Sequence, residues 1–361
     1  MMHSPENLLP LIVFIPFAAA ALAMALGRVV GTRIGLLMPL SAIPSFFASL
    51  WLFIQGRGHE DVVVYSASWI EALNINFRFQ GDSFGLFFAL IVSGIGTCVG
   101  IYSISYIPKL DNARIGRYYA ALIGFMAAML GVSLADDLIL LFIFWEITSI
   151  TSFILIGFWY EEENGRKGAN TALQVTVAGG LAMMVGFILV GTITGTFTIS
   201  ELAGNAALAS SPYIGVALLL ILGGTFTKSA QWPFHFWLPN AMVAPTPVST
   251  YLHSATMVKA GVFLMGRMLP IFGEVPTWAP LLTTVGLITF SLTAYQALKE
   301  TDLKAILART TLSTLGLVTM LYGLKAADQD ALQLFNHAAY KATLFLVAGI
   351  VEHATHTRDI R

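Results

Sequence analysis

Read end to end, the chain alternates long apolar runs with short polar connections. A helix needs roughly 20 mostly apolar residues to cross a bilayer. The pattern therefore predicts about eleven spans, near 8–26, 34–54, 84–107, 117–135, 138–159, 171–195, 213–231, 241–268, 278–298, 305–323 and 331–352. Only Asp136-Asp137 separates the fourth from the fifth, and a continuous helix is the alternative there. Two adjacent carboxylates at mid-bilayer are costly, which favours a tight external turn. The pattern changes period once. From Asp61 to Asp82 a β-forming run, Val62 to Tyr65, precedes Leu73-Asn74-Ile75-Asn76-Phe77-Arg78-Phe79, where apolar and polar residues alternate. That period of two predicts a small extracellular β-hairpin between the second and third spans, structural in role. The expected fold class is an all-α polytopic membrane protein carrying that one hairpin.

Composition agrees. Apolar residues make up 57% of the chain, charged residues only 11%, and mean hydropathy is +0.77. An ordinary globular chain has about 25% charged residues. A net charge of −1 gives no basic patch for nucleic acid, and Cys98 as the single cysteine excludes an internal disulfide, a cysteine-held cluster or a cysteine zinc site. With no Gly-rich phosphate loop before a helix, no nucleotide or redox cofactor site is expected.

Charge sets the orientation. Acidic Glu6 precedes the first apolar run, Leu8 to Leu26, and Arg28 and Arg33 follow it. A secretory signal has the reverse order, so this is a retained span with the N-terminus outside. The inner loops then hold Arg28, Arg33, Lys109, Arg114, Arg117, Arg166, Lys167, Lys299, Lys304, Arg309, Arg358 and Arg361. The outer loops hold Arg57, Arg78, Arg267 and Lys325. Those 12 against 4, with Lys228, Lys259 and Lys341 inside spans, account for all 19 basic residues and match the positive-inside pattern of a plasma or inner membrane protein. The sequence stops at Arg361, one turn past the last span, as a fragment would.

The stretch that organises the chemistry runs from Gly223 to Gly261. An apolar helix reaches Lys228, breaks at Trp232-Pro233, crosses a loop with four prolines, and resumes with His253 and Lys259. Ionisable groups at hydrocarbon depth are site hypotheses by default, and irregular backbone survives there only where protein or water satisfies it. Pro233 frees a carbonyl about four residues upstream, which Thr227, Ser229, Gln231 or water can fill. Lys228 suits proton carriage because buried lysines exchange protons readily; a lysine snorkelling to the interface is the plainer alternative. Glu146, inside the fifth span, stays charged only with a partner, and Lys228 is the candidate. A protonated glutamate joining two helices is the alternative. In a Glu–Lys pair, moving one charge changes the proton affinity of the other.

On the eighth span His253 and Met257 share a face at i, i+4, whereas Lys259 points elsewhere, so the two polar groups need not serve one path. His253 can pass protons, though a single buried histidine is often a packing residue. His337 and Lys341 fall at i, i+4 on the eleventh span, with about ten apolar residues after them, which favours a buried pair over one facing a polar loop. Asp82 reads as an N-cap. Lys304, with Asp302 and Glu300, reads as a solvated inner loop or a gate, and Arg309 is a weaker member. Glu161, Glu162 and Glu163 carry no expected role. His353 and His356 lack a third ligand, so no metal site is expected.

The run TKSAQWPFHFWLPNAMVAPTPVSTYLHSATMVKAG resembles the antiporter-like membrane subunits of respiratory complex I and of the Mrp-type multisubunit Na+/H+ antiporters. FIFWEITSITSFILIGFW and NHAAYKATLFLVAGIVEHATHTRDIR carry the same resemblance, which covers essentially the whole chain. Lys259 after HSATM and the GIVEHATHTRDIR ending are most similar to the large first subunit of the Mrp antiporter, in its N-terminal portion. The resemblance implies inverted five-helix repeats with broken helices. It divides the chain into N-terminal helices with the hairpin (1–110), a first repeat (111–268) and the start of a second (269–361), whose own broken helix falls beyond Arg361. It pairs Glu146 with Lys228, sets His253 and Lys259 on the eighth-helix connection, and puts His337 and Lys341 on the eleventh-helix part of a central axis. It implies a transporter subunit rather than an enzyme: protons moving inward drive sodium out, without a cofactor, within a hetero-oligomer of other antiporter subunits. A proton-pumping subunit of a complex I-type NADH:quinone oxidoreductase is the alternative, and a non-conducting scaffold subunit the third reading.

Overall fold

The computed structural model describes residues 5–56, 62–73, 75–107 and 111–361. Arg57 and Lys109 of the charge count, and Asp61 and Asn74 of the predicted hairpin, lie outside the described residues. The chain forms two compact units, Met1–Leu155 and Ile156–Arg361. They are groupings by packing, a different division from the repeats that the sequence resemblance implies.

In the first unit α1 (Leu8–Val30) and α2 (Leu37–Gln55) flank a short turn at Gly31–Leu36 and pack together, with Ser45 Oγ donating to the Ile12 carbonyl at 2.9 Å. The hairpin is antiparallel, β1 (Val63–Ile70) against β2 (Ile75–Gly81), in the register Val63 opposite Gly81. Alternation places Ile75 and Phe79 inward, as the period of two requires. Next come α3 (Ser83–Tyr106), α4 (Asn112–Leu134) and α5 (Leu138–Ile156). Asp82 caps α3 by accepting from the Gly85 N–H at 2.7 Å. Helix α4 is central and buried almost all round, approaching α1 so closely that a Cβ on Gly116 would lie 3.0 Å from the Gly27 Cα.

The Asp136-Asp137 turn does break the two spans, and each carboxylate has a task. Asp137 caps α5, accepting from the N–H groups of Ile139 (2.9 Å) and Leu140 (3.0 Å). Asp136 pairs with Arg78 of β2 at 2.8 Å, while its own N–H donates to the Arg78 carbonyl at 3.0 Å. The turn therefore covers the free edge of β2 and satisfies its backbone.

The second unit runs α6 (Glu163–Thr194), α7 (Ile214–Lys228), α8 (Thr246–Phe272), α9 (Trp278–Ala297), α10 (Leu303–Gly323) and α11 (Ala327–Thr355). Small residues allow the tight crossings expected between membrane helices. A Cβ on Gly179 of α6 would overlap the Thr227 side chain of α7, and one on Gly286 of α9 would lie 2.5 Å from the Met320 N of α10.

Among the described residues nine segments are long and apolar enough to cross a membrane. The first, Pro5–Gln55, contains both α1 and α2, and α7 is a shorter apolar helix. Splitting the one and adding the other restores the eleven spans read from the sequence. At 1.5 Å per residue, the 15 residues of α7 reach only about 22 Å, short of a 30 Å hydrocarbon core. A helix that starts at one interface therefore ends inside the membrane, with Lys228 as its last residue.

Candidate functional site

Five of the six candidate residues fall in the second unit, all fully or nearly fully buried: Lys228, His253, Lys259, His337 and Lys341. Glu146 lies midway along α5 in the first unit. The expected Glu146–Lys228 pair would join the two units, so it enters only as a proposal below.

The break after α7 is built by its side chains. Ala230 takes a left-handed backbone (φ 49°), and the Gln231 N–H reaches back to the Phe226 carbonyl at 2.8 Å. Ser229 owns the carbonyl that Pro233 orphans, and the Gln231 amide nitrogen donates to it at 3.1 Å. The Trp237 indole donates to the Thr227 carbonyl at 2.9 Å. These are the substitutions for backbone bonds that irregular structure at depth requires. A cation at the C-terminus of α7 also suits the negative end of that helix's dipole. Ser229 Oγ donates to the Val258 carbonyl at 2.8 Å, docking the end of α7 beside Lys259.

Helix α8 is not a regular helix. Thr246–Thr250 passes into a π turn at Tyr251–Ala255, and Thr256 (φ −129°, ψ −92°) precedes the α-helical Met257–Phe272. The sequence pattern sets His253 and Met257 on one face of an unbroken helix; the wider turn and the kink at Thr256 destroy that phase. His253 instead faces the Trp237 ring, 6.3 Å away between centroids, and lies within electrostatic reach of Lys304. Neither of its ring nitrogens has a hydrogen-bond partner among the described residues.

Lys259 turns the other way. Its Nζ lies 2.9 Å from His337 Nδ1 on α11, with both residues 1% exposed or less. An ammonium can only donate, so Nδ1 accepts and the ring proton sits on Nε2. That buried Nε2 has no partner among the described residues. Lys341, one turn further along α11, donates to Thr310 Oγ1 and to the Leu307 carbonyl (3.2 Å) of α10. Lys341 also acts electrostatically on both Lys259 and His337. The structure therefore joins Lys259, His337 and Lys341 across α8, α10 and α11, and sets His253 on a separate branch through Trp237. The i, i+4 spacing of His337 and Lys341 is visible in the sequence, but their partners lie on other helices.

Lys304 departs from the sequence expectation. A solvated inner loop would expose it, yet it is 2% exposed and donates to the Ala244 carbonyl at 2.6 Å. The sequence does carry a signal: Lys304, Leu307, Ala308, Thr311, Leu312 and Leu315 form one buried stripe at helical spacing. Arg309 is held by Glu300 and by Gln296 (2.5 Å), an arrangement at the helix ends.

Chemically, the second unit is a membrane-embedded helical assembly with lysines and histidines enclosed around broken helices. That defines the class: a multi-pass membrane protein equipped to carry charge across its interior. Comparison with known proteins supplies the family. Residues 135–361 match the family described as NADH:quinone oxidoreductase/Mrp antiporter, TM, and residues 68–119 match the N-terminus of complex I chain 5. The chain belongs to the NADH:quinone oxidoreductase/Mrp antiporter transmembrane family. It is 42% identical over 99% of its length to the A/B subunit of a probable K(+)/H(+) antiporter from Rhizobium meliloti. It is 45% identical over 83% of its length to the large first subunit of a Na(+)/H(+) antiporter from Alkalihalophilus pseudofirmus. The chain spans only 36% and 39% of those relatives' lengths. Among solved structures, a chain of the Mrp complex from Dietzia matches with TM-score 0.89 and 37% identity, covering 97% of this chain and 38% of that one. A chain of an archaeal membrane-bound sulfane sulfur reductase shares the fold, with TM-score 0.88 at 22% identity over 99% of this chain and 73% of its own.

Proposed function

We propose that the chain is the proton-conducting part of a cation/proton antiporter subunit, working inside a hetero-oligomeric membrane complex. In this reading the N-terminus lies outside and inward proton movement drives cation export. Glu146 and Lys228 form the electrostatic switch, His253 and Lys259 receive protons from it, and His337 with Lys341 passes charge onward. The observation that carries the reading is the buried Lys259–His337 contact of 2.9 Å. Two titratable groups in contact at that depth share a proton and are costly to keep for packing alone. The names of the relatives support antiport, with sodium in one and potassium in another; sodium is the first cation to test. The runner-up, a pump subunit of a complex I-type oxidoreductase, is favoured by the complex I match over residues 68–119.

The test uses inverted vesicles carrying the full complex, with pH followed after sodium or potassium addition. The expected result is a cation-triggered pH change that disappears in Lys228→Ala and Glu146→Gln while the complex still assembles. Normal antiport in either assembled variant overturns the switch. Proton movement that follows NADH or quinone and ignores both cations transfers the chain to the oxidoreductase reading.

A further inference from the structure

The second unit holds a polar cavity that the buried cluster does not include. It encloses about 480 Å³ between the start of α6, the 239–243 turn, the start of α10 and the tail that follows α11. Both signs of charge line it, Lys167 and Arg358 with Asp302, beside the amide of Asn240. Such a lining holds water rather than lipid.

Lys304 stands between this cavity and His253. Asp302 and Ala305, on either side of it in sequence, line the cavity. Lys304 itself is turned inward onto the Ala244 carbonyl, the residue after the 239–243 turn, and acts on His253 from there. The tail beyond α11 closes the arrangement from outside. Leu303 N–H donates to the Arg358 carbonyl at 2.9 Å, and Ile360 N–H to the Thr301 carbonyl at 3.0 Å. Arg358 Nε meets Asp302 at 2.9 Å and Glu352 at 3.8 Å, and Glu352 Oε2 accepts from Thr246 Oγ1 at 3.1 Å. One guanidinium thereby ties the first turns of α8 and α10 to the last turn of α11.

We propose that this tail is a clasp on the cavity: with Arg358 on Asp302 and Glu352, Lys304 is shut away from cavity water, and on release Lys304 becomes the group that exchanges protons between the cavity and His253. The exchange rests on the transport reading above; the clasp does not. The clasp is suited to opening, because each of the three charged side chains keeps about a third of its surface in solvent. Ion pairs so exposed bias an equilibrium only a few-fold. Release also leaves the carboxylates solvated and leaves Lys304 facing them across a water-filled space, which draws its ammonium outward.

Thiol labelling in the full complex tests this without reading ion movement. Cys98→Ala removes the only native thiol of the chain, and Ala305→Cys and Lys304→Cys are then made singly. Membranes opened with mild detergent are treated with a sulfonated maleimide, so sidedness does not enter. Ala305→Cys is expected to label readily and Lys304→Cys slowly. Adding Arg358→Gln is expected to raise the Lys304→Cys rate at least about threefold, the opening that follows loss of a half-exposed ion pair. Ala305→Cys should change by less than about twofold in the same background, which excludes general unfolding. Arg358→Lys should restore most of the protection. Lys304→Cys labelling as fast as Ala305→Cys with Arg358 in place, or a rate indifferent to Arg358→Gln, overturns the clasp. Loss of antiport with the labelling pattern intact overturns the transport reading alone.

Discussion

Removing His337 alone should harm the protein more than removing it together with Lys259. His337→Leu deletes the acceptor 2.9 Å from a lysine that is 0% exposed. If that lysine keeps its charge, breaking a buried pair costs about 3–5 kcal/mol. Lys259→Met deletes the donor instead and leaves the imidazole Nδ1 unsatisfied, at about 1–3 kcal/mol. The double variant, Lys259→Met with His337→Leu, replaces both by apolar side chains of comparable size, which buried pairs tolerate well. The singles thus sum to about 4–8 kcal/mol, and the double should cost at least about 2 kcal/mol less than that sum. The assay is unfolding of the purified complex in mixed micelles of rising SDS fraction, followed by helicity, for all four corners of the cycle. A double variant whose cost equals the sum of the singles to within about 0.5 kcal/mol refutes the reasoning, since it means that the two side chains do not interact. Transport should not recover in the double variant, because the proton-carrying groups are gone; restored stability without restored transport separates the two roles.

Other sites give sharper structural tests. Trp237→Phe removes the indole donor to the Thr227 carbonyl at the break (2.9 Å) and should cost about 1–3 kcal/mol in the same unfolding assay, with transport reduced because Lys228 is adjacent. Gly179→Ala puts a methyl group into the Thr227 side chain; overpacking of this kind costs about 1–3 kcal/mol, and an unchanged midpoint would show that α6 and α7 are not so tightly crossed. Arg78→Gln leaves the buried Asp136 carboxylate without its 2.8 Å partner. Faster hydrogen exchange in β1 and β2, with little change in α4, is the expected outcome.

How much of this is legible in the sequence depends on how far apart the causes lie. Eleven spans and the hairpin are local patterns, written as runs of apolar residues and a single change of period, and the structure matches both. The break after Lys228 is also local, because Pro233 cannot donate a backbone bond, and Gln231 is among the groups that the sequence offers to mend it. The π turn at Tyr251–Ala255 is not legible: residues such as Leu252 and Ser254 are equally at home in an ordinary helix, and the wide turn is imposed by packing against α11. The Lys259–His337 contact joins residues 78 positions apart, beyond anything spacing can convey. Lys304 misleads for a different reason. Its charged neighbours Glu300 and Asp302 dominate the local pattern, while the buried stripe that it heads extends along α10 in the other direction, as far as Leu315.

The pairing of Arg78 with Asp136 has a consequence for how the chain is made. The partners are 58 residues apart, and both α3 and α4 lie between them. During synthesis the hairpin strands leave the ribosome first, with the edge of β2 uncovered and Arg78 unmatched. They stay so until two further helices have entered the bilayer and delivered the Ala135-Asp136-Asp137 turn to the same side. Closure of that edge therefore reports that α3 and α4 have been inserted with the correct parity. A chain that skipped one of them would carry the two aspartates to the opposite face and leave an exposed strand, the kind of unfinished edge that quality-control proteases and chaperones recognise.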